Sequence, residues 1–292
     1  PYARWIEAPC PWSIDNYLMA GRFPLKSAIG ERTAAGAAPA NIAAREDAVR
    51  RAREFSPFLR EAGAALPHIV EIFAEKGSAE AIRAALESRE DDIEAELRRQ
   101  RLGLALAVAL GDLCGELSFE KATRALSDFA DAAIDRALSA ALEERVSGAK
   151  LRGIAAIALG KLGSQELNYS SDIDVLLLFD PESMPRRERD DPSEAAVRVG
   201  RRMIEILQKR TGDGYVARVD LRLRPSPEVT PIVLPVDAAI SHYESSALPW
   251  ERAAFIRARV CAGDRARGEH FLQSIQPFVW RRSLDFGVIE EV

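Results

Sequence analysis

The stretch GKLGSQELNYSSDIDVLLLFD, residues 160–180, constrains the fold of this chain more than any other. It sets Asp172 and Asp174 one residue apart at the head of the apolar run VLLLF. A short apolar run bounded by turn formers predicts a buried strand. Carboxylates are depleted from strands and costly to bury without a partner. The pair is therefore either a solvated strand end or the ligand-holding end of a site. Residues i and i+2 of a strand project to one face, roughly 6 to 7 Å apart. Both carboxylates can thus face one point while Ile173 points into the core behind them.

The surroundings of this strand define three regions. Residues 1–148 comprise an irregular segment rich in Pro, Gly and aromatics up to about residue 40, then an Ala-rich, charged stretch with helical periodicity. The aromatics Tyr2, Trp5, Trp12, Tyr17 and Phe23 suggest that the first segment packs on something. The stretch 41–145 reads as four to six helices without a repeat signature. Its clearest helix follows Ser118 as N-cap, with Ala122, Leu126, Phe129, Ala133 and Ala137 on one stripe and Asp128, Asp131, Asp135 and Arg136 off it. Residues 149–235 hold the run IAAIAL at 154–159 and the VLLLF strand. They also hold a helix with Asp191 as N-cap, Pro192 at N1 and Glu194 at N3, whose buried face is Ala196, Val199, Met203 and Ile206. Then comes YVARVDLRLRP, 215–225, whose strict alternation predicts a strand with Arg218, Asp220, Arg222 and Arg224 on one face. Residues 236–292 turn helical again through AAISHYE, WERAAFIRARV and RGEHFLQSI, and the chain ends inside a helical pattern. The expected fold is α+β: a small mixed sheet of two or three strands around one helix, flanked by N- and C-terminal helical regions.

Composition excludes several classes. A net charge of −5 gives no general affinity for nucleic acid or an anionic membrane. No apolar run approaches the length of a membrane span. The first residues lack the basic head and apolar stretch of a signal peptide, and Cys10, Cys114 and Cys261 form no CxxC, so the expected compartment is the cytoplasm. The three scattered histidines, His68, His242 and His270, disfavour a histidine metal site or a Ser-His-Asp triad. Walker A and GxGxxG patterns are absent.

The chemistry therefore concentrates on carboxylates. Asp172 and Asp174 can converge on one or two hard divalent cations, which take oxygen ligands. Asp220, on the polar face of 215–225, is the candidate third ligand in an arrangement suited to phosphoryl or nucleotidyl transfer. Arg222 and Arg224 flank it as candidate phosphate binders. Gly160, Gly163 and Ser164 permit close backbone approach to a phosphate. Trp250-Glu251-Arg252 and the Arg257/Arg259 pair read as helix surface and packing, and Arg281-Arg282 as structural.

This order of motifs resembles the polymerase-β-type nucleotidyltransferase superfamily. IALGKLGSQELNYSSDIDVLLLFD, GDGYVARVDLRLRP, WERAAFIRAR and FVWRRSLDFGVI together resemble the glutamine synthetase adenylyltransferase family, across about residues 98–292. Members carry two such domains, one that adds AMP from ATP to a tyrosine of glutamine synthetase and one that removes it by phosphorolysis to give ADP. The removing copy typically reads ELNxSSDIDL, which Asn168, Ser170, Ser171 and Ile173 match. The resemblance implies that Asp172, Asp174 and Asp220 hold Mg²⁺ or Mn²⁺, and that Gly163, Ser164 and Ser171 line the nucleotide-phosphate side. It implies glutamine synthetase, inorganic phosphate, ADP and the PII signal protein as partners, within nitrogen regulation. With no second DxD after residue 174, the chain is expected to be a fragment. The alternatives are ATP-dependent adenylylation, a non-catalytic nucleotidyltransferase-fold module that binds glutamine synthetase or PII, and a small-molecule nucleotidyltransferase. The last gives no reason for the long helical prefix.

Overall fold

Two apolar segments, buried along almost their whole length, form the spine of the molecule: β1 (Ile154–Ala158) and β2 (Ile173–Phe179). They pair antiparallel, Ile154 opposite Phe179 and Ala158 opposite Val175. The computed structural model describes residues 39–280. The aromatic-rich segment before residue 39 and the pair Arg281-Arg282 lie outside the described residues.

Six helices precede the sheet among the described residues: α1 (Pro39–Phe55), α2 (Pro57–Ala65), α3 (Pro67–Lys76), α4 (Ser78–Leu86), α5 (Ile93–Leu113) and α6 (Phe119–Glu143). Ser118 caps α6 by accepting from the Lys121 amide, as its position before the apolar stripe predicts. The short α7 (Gly160–Gly163) lies between β1 and β2, and after β2 come α8 (Pro192–Gln208), β3 (Val219–Asp220) and β4 (Val233–Pro235). The chain then forms α9 (Val236–Ser245), α10 (Pro249–Phe255), β5 (Arg259–Gly263) and α11 (Arg265–Val279). The Asp191 carboxylate caps α8 at the Glu194 amide, and Ala196, Val199, Met203 and Ile206 are buried as their spacing requires.

The sheet has five strands in the order β3-β2-β1-β5, with β4 also on β2. Both β3 and β4 run parallel to β2, β3 along its first residues and β4 along 177–179. They lie end to end on the edge of β2 that β1 does not use. Successive side chains of β2 enter two cores. Ile173, Val175, Leu177 and Phe179 pack with α6 and α8 on one face. Leu176 and Leu178 pack with Tyr243, Phe255, Phe271 and Phe278 of α9, α10 and α11 on the other. Helices α1 to α5 carry a third core of their own around Phe73 and Leu106.

Two expectations are corrected. The alternating segment 215–225 is a strand only at Val219–Asp220. Pro225, the positive φ of Ser226 (44°) and Pro227 carry the chain away from β2 into a loop before it returns as β4. The helical reading of WERAAFIRARV fails at its end, because residues 259–263 form β5 and extend the sheet beyond β1. A region boundary at 235 therefore divides one sheet.

The charges off the α6 stripe do not all face water. Asp131 is 6% exposed and accepts two hydrogen bonds from Arg259 of β5, while Arg259 Nη2 also donates to Leu162 O at 2.9 Å. Asp135 Oδ1 accepts from the Gly263 amide at 2.9 Å. Burial pushes the Asp131 carboxyl up to about 6, against the pull of Arg259. Replacing Asp131 by Ala strands a mostly buried guanidinium, and removing one member of such a pair costs about 3 kcal/mol. We expect that loss as a lower urea midpoint at unchanged m-value, with Asp131→Leu/Arg259→Met recovering most of it.

Candidate active site

Asp174 is the first carboxylate inside β2, and its neighbours dictate its environment. Ile173 anchors the strand, 2% exposed, in the core against α6 and α8. Asp174 projects from the opposite face, and the parallel register sets Asp220 of β3 beside it. Asp172 stands one residue ahead of the strand and is exposed. The sheet thus brings the three expected acids to one end of β2.

Each acid has a distinct setting. Burial raises the Asp174 carboxyl, and the like charges of Asp220 and Asp172 raise it further. Asp220 is held below the usual carboxylate range by hydrogen bonds from Arg222, whose amide donates to Oδ1 at 2.8 Å and whose Nε donates at 2.9 Å to Oδ2. Asp172 receives the Arg218 Nε. Arg218 also donates to Ser170 O at 2.6 Å and to the Tyr215 hydroxyl at 3.0 Å.

The loop that delivers Asp172 is built by Asn168. Its Oδ1 accepts from the Ser170 amide at 3.1 Å and from the Ser171 hydroxyl at 2.9 Å, an Asx-type turn. The helical prefix fixes the loop from below. The Leu167 amide donates to Ser127 Oγ of α6 at 3.2 Å, Gln165 donates to Asp128 at 3.3 Å, and Arg101 of α5 donates to Tyr169 O at 3.3 Å.

The glycines divide their labour differently from expectation. Gly160 has φ +53°, and a Cβ there would collide with Asp174 Oδ2. Gly163 is buried, with Arg257 O at 2.6 Å and Ala158 O at 3.0 Å from where a Cβ would sit. Gly160 is therefore the glycine that leaves room at the acids, while Gly163 allows α7 to pack on backbone. The Ser164 hydroxyl donates to Gly160 O at 3.2 Å and accepts from Arg257 at 3.2 Å. The Ser171 hydroxyl is spent on Asn168. Arg224 turns inward and donates to Leu221 O, Pro227 O and Thr230 O, bracing the loop after β3. Of the two arginines expected to bind phosphate, Arg222 keeps its side chain exposed, 83%, with its guanidinium paired to Asp220. Lys161, exposed on α7, adds a positive charge that acts on Asp174.

The residues that sequence reasoning left out are Arg218 as the partner of Asp172, together with Tyr215 and Arg101. Arg218 stood in the alternating arginine row. Arg101 gave no local signal, because it reaches the site from a helix 70 residues upstream.

Among the described residues, no group of three or more Asp, Glu, His or Cys is already arranged to hold a metal. Asp172 and Asp220 face arginines instead. The donor chemistry nevertheless fits a hard divalent cation: three carboxylates at one strand end, with the like charges of two acting on the third.

A small mixed sheet whose central strand opens on Asp-x-Asp, with a third Asp in parallel register, defines a nucleotidyltransferase core. None of the described helices is long and apolar enough to cross a membrane. The family model for glutamate-ammonia ligase adenylyltransferase matches residues 38–274. A protein of Caulobacter vibrioides named bifunctional glutamine synthetase adenylyltransferase/adenylyl-removing enzyme is 43% identical over 261 residues, covering 81% of this chain and 26% of the relative. Proteins of the same name from Rhizobium meliloti and Mesorhizobium japonicum are 42% and 39% identical, covering 81% and 82% of this chain and 27% and 26% of the relatives. The chain belongs to the glutamate-ammonia ligase adenylyltransferase family, and it spans about a quarter of the length of these curated relatives.

Two outcomes follow from the geometry. Gly160→Ala should displace Asp174 and lower nucleotidyl-transfer activity on the order of 10²-fold, while circular dichroism stays near wild type and the strained positive φ lowers the thermal midpoint modestly. Asp220→Asn removes a like charge and frees Arg222, so the Asp174 carboxyl should titrate at lower pH by ¹³C NMR of the metal-free protein. An unchanged titration would show that Asp220 has no part in setting it.

Proposed function

We propose that this chain removes AMP from adenylylated glutamine synthetase by phosphorolysis. The observation that carries the transfer chemistry is the register that sets Asp220 beside Asp174 with Asp172 two residues away. The direction is supported by the ELNYSSDID segment, whose Asn168 and Ser171 build the turn that presents Asp172.

On this reading, an oxygen of inorganic phosphate forms a bond to the AMP phosphorus as the bond from that phosphorus to the tyrosine oxygen breaks. The phenolate leaves with the bonding pair and takes the proton the phosphate brought, so the products are ADP and tyrosine. Asp172, Asp174 and Asp220 would hold Mg²⁺ or Mn²⁺, which supplies charge neutralisation at the phosphoryl oxygens. Arg222, exposed at the rim, would meet an oxygen of the transferring group. Gly160 keeps the approach to Asp174 open. No general base is required, because phosphate attacks as an anion.

The test pairs two incubations: adenylylated glutamine synthetase with phosphate, and unmodified enzyme with ATP. ADP should form in the first and no AMP transfer occur in the second. Asp172→Asn and Asp174→Asn should each cut ADP release at least 10³-fold with the fold retained, and chelation should abolish it reversibly. Transfer from ATP without phosphorolysis would instead assign the adenylylating direction. A folded Asp174→Asn protein releasing ADP at the wild-type rate would sink the site assignment.

A further inference from the structure

Tyr215, in the segment that leads from α8 to β3, is surrounded by cations. Arg101 lies 4.9 Å from its ring centre, and Arg210 and Arg218 each lie 5.8 Å away. Arg210, Tyr215 and Arg218 share the one segment between α8 and β3, and the tertiary fold brings Arg101 of α5 to it. Arg218 is paired with Asp172. Arg101 donates to the Tyr169 carbonyl, and among the described residues neither Arg101 nor Arg210 meets a carboxylate. Three guanidiniums against one carboxylate leave two positive charges in excess. Stacking on a neutral ring orients those charges without neutralising them.

Beside the ring lies a cavity of about 50 Å³ with Arg101, Asn168, Tyr169, Ser171 and Tyr215 on its polar side and apolar side chains such as Phe129 and Leu207 on the other; of the three arginines, Arg101 lines it. Its volume is more than a single water requires. Burial depresses the Arg101 guanidinium from its ordinary value, and the like charge of Arg218 depresses it further against the opposing effect of Tyr215. A bound anion would offset the like-charge repulsion and pair the buried guanidinium. Planar guanidinium forks held at fixed angles match the oxygens of a phosphate group, and Arg is the residue suited to bidentate capture of one.

We propose that Arg101, Arg210 and Arg218, arrayed on Tyr215, form an oxyanion subsite for a phosphate group, contiguous with the acidic edge through the Arg218–Asp172 pair. The assignment of inorganic phosphate as occupant rests on the adenylyl-removing reading; the existence of the subsite does not. Under that reading the subsite holds the attacking phosphate beside Asp172, a role that Arg224, turned into its own loop, does not fill.

Calorimetric titration of the 292-residue chain with inorganic phosphate, and separately with ADP, at ionic strength held by chloride, tests the proposal. Phosphate should bind with unit stoichiometry. Arg210→Gln should weaken it about fivefold and Arg101→Gln/Arg210→Gln more than tenfold, with little change in thermal midpoint. Arg210 is exposed, so its single variant decides the matter where the double variant fails to fold. Asp174→Asn should keep phosphate binding while losing ADP release, which separates the subsite from the transfer reading. Equal phosphate affinity in wild type and Arg210→Gln, or no binding of either ligand, overturns the subsite. Binding of ADP alone, weakened by the same variants, keeps the subsite and overturns free phosphate as its occupant.

Discussion

Everything in this molecule is arranged around holding like charges together. Asp174 and Asp220 face each other across a two-residue parallel ladder, and directly opposed like charges destabilise a strand pair. The pairing survives because β2 has no freedom to slip. Its remaining residues are buried on both faces, β1 occupies one edge from Val175 to Phe179, and β4 locks the other edge further along. A slip of one residue would move every apolar side chain of β2 into the wrong core. The hydrophobic cost of that exchange is what keeps the carboxylates in place.

The helical prefix is part of the same frame. Ser127, Asp131 and Asp135 follow one another at intervals of four along α6 and so form a polar seam on one face. Ser127 receives the Leu167 amide at the loop before Asp172, Asp131 receives Arg259, and Asp135 receives the Gly263 amide at the end of β5. Arg259 in turn holds the Leu162 carbonyl of α7, two residues from Gly160. A single helix thus positions the strand beyond β1, the glycine turn and the loop that carries the first acid. This gives the long helical region ahead of the sheet a physical purpose at the site.

Much of this was legible in the residues. The Asp-Ile-Asp strand head, the Ser118 and Asp191 caps, the buried face of α8 and the convergence of Asp220 all follow from local pattern and capping chemistry. What was hidden depended on tertiary context. The sequence RVCAG at 259–263 lies buried between β1 and helices, so it shows no alternation, and a short run of that kind cannot be told from a helix end by period. The alternation of 215–225 is real, but Pro225 and Pro227 remove the donors a continued ladder needs. Asp131 and Asp135 fall off the apolar stripe because their partners are polar groups of another element, a pairing no helical wheel reveals.

The ion pairs divide into two kinds, and the division follows function. Asp131 and Arg259, with side chains 9% and 24% exposed, are shielded from water and salt and belong to the frame. Arg218 and Asp172, 51% and 44% exposed, and Arg222 with its 83% exposed side chain sit at the acidic edge. Pairs with an arginine this open to water are screened and contribute little to stability. They suffice to keep the acids compatible with one another while the site is unliganded. They are also weak enough for a ligand of higher charge to displace, leaving each arginine free beside the group that replaced it. A site built this way keeps its carboxylates in register through buried packing and leaves their counterions exchangeable. Charge can then be redistributed at the acidic edge without any strand having to move.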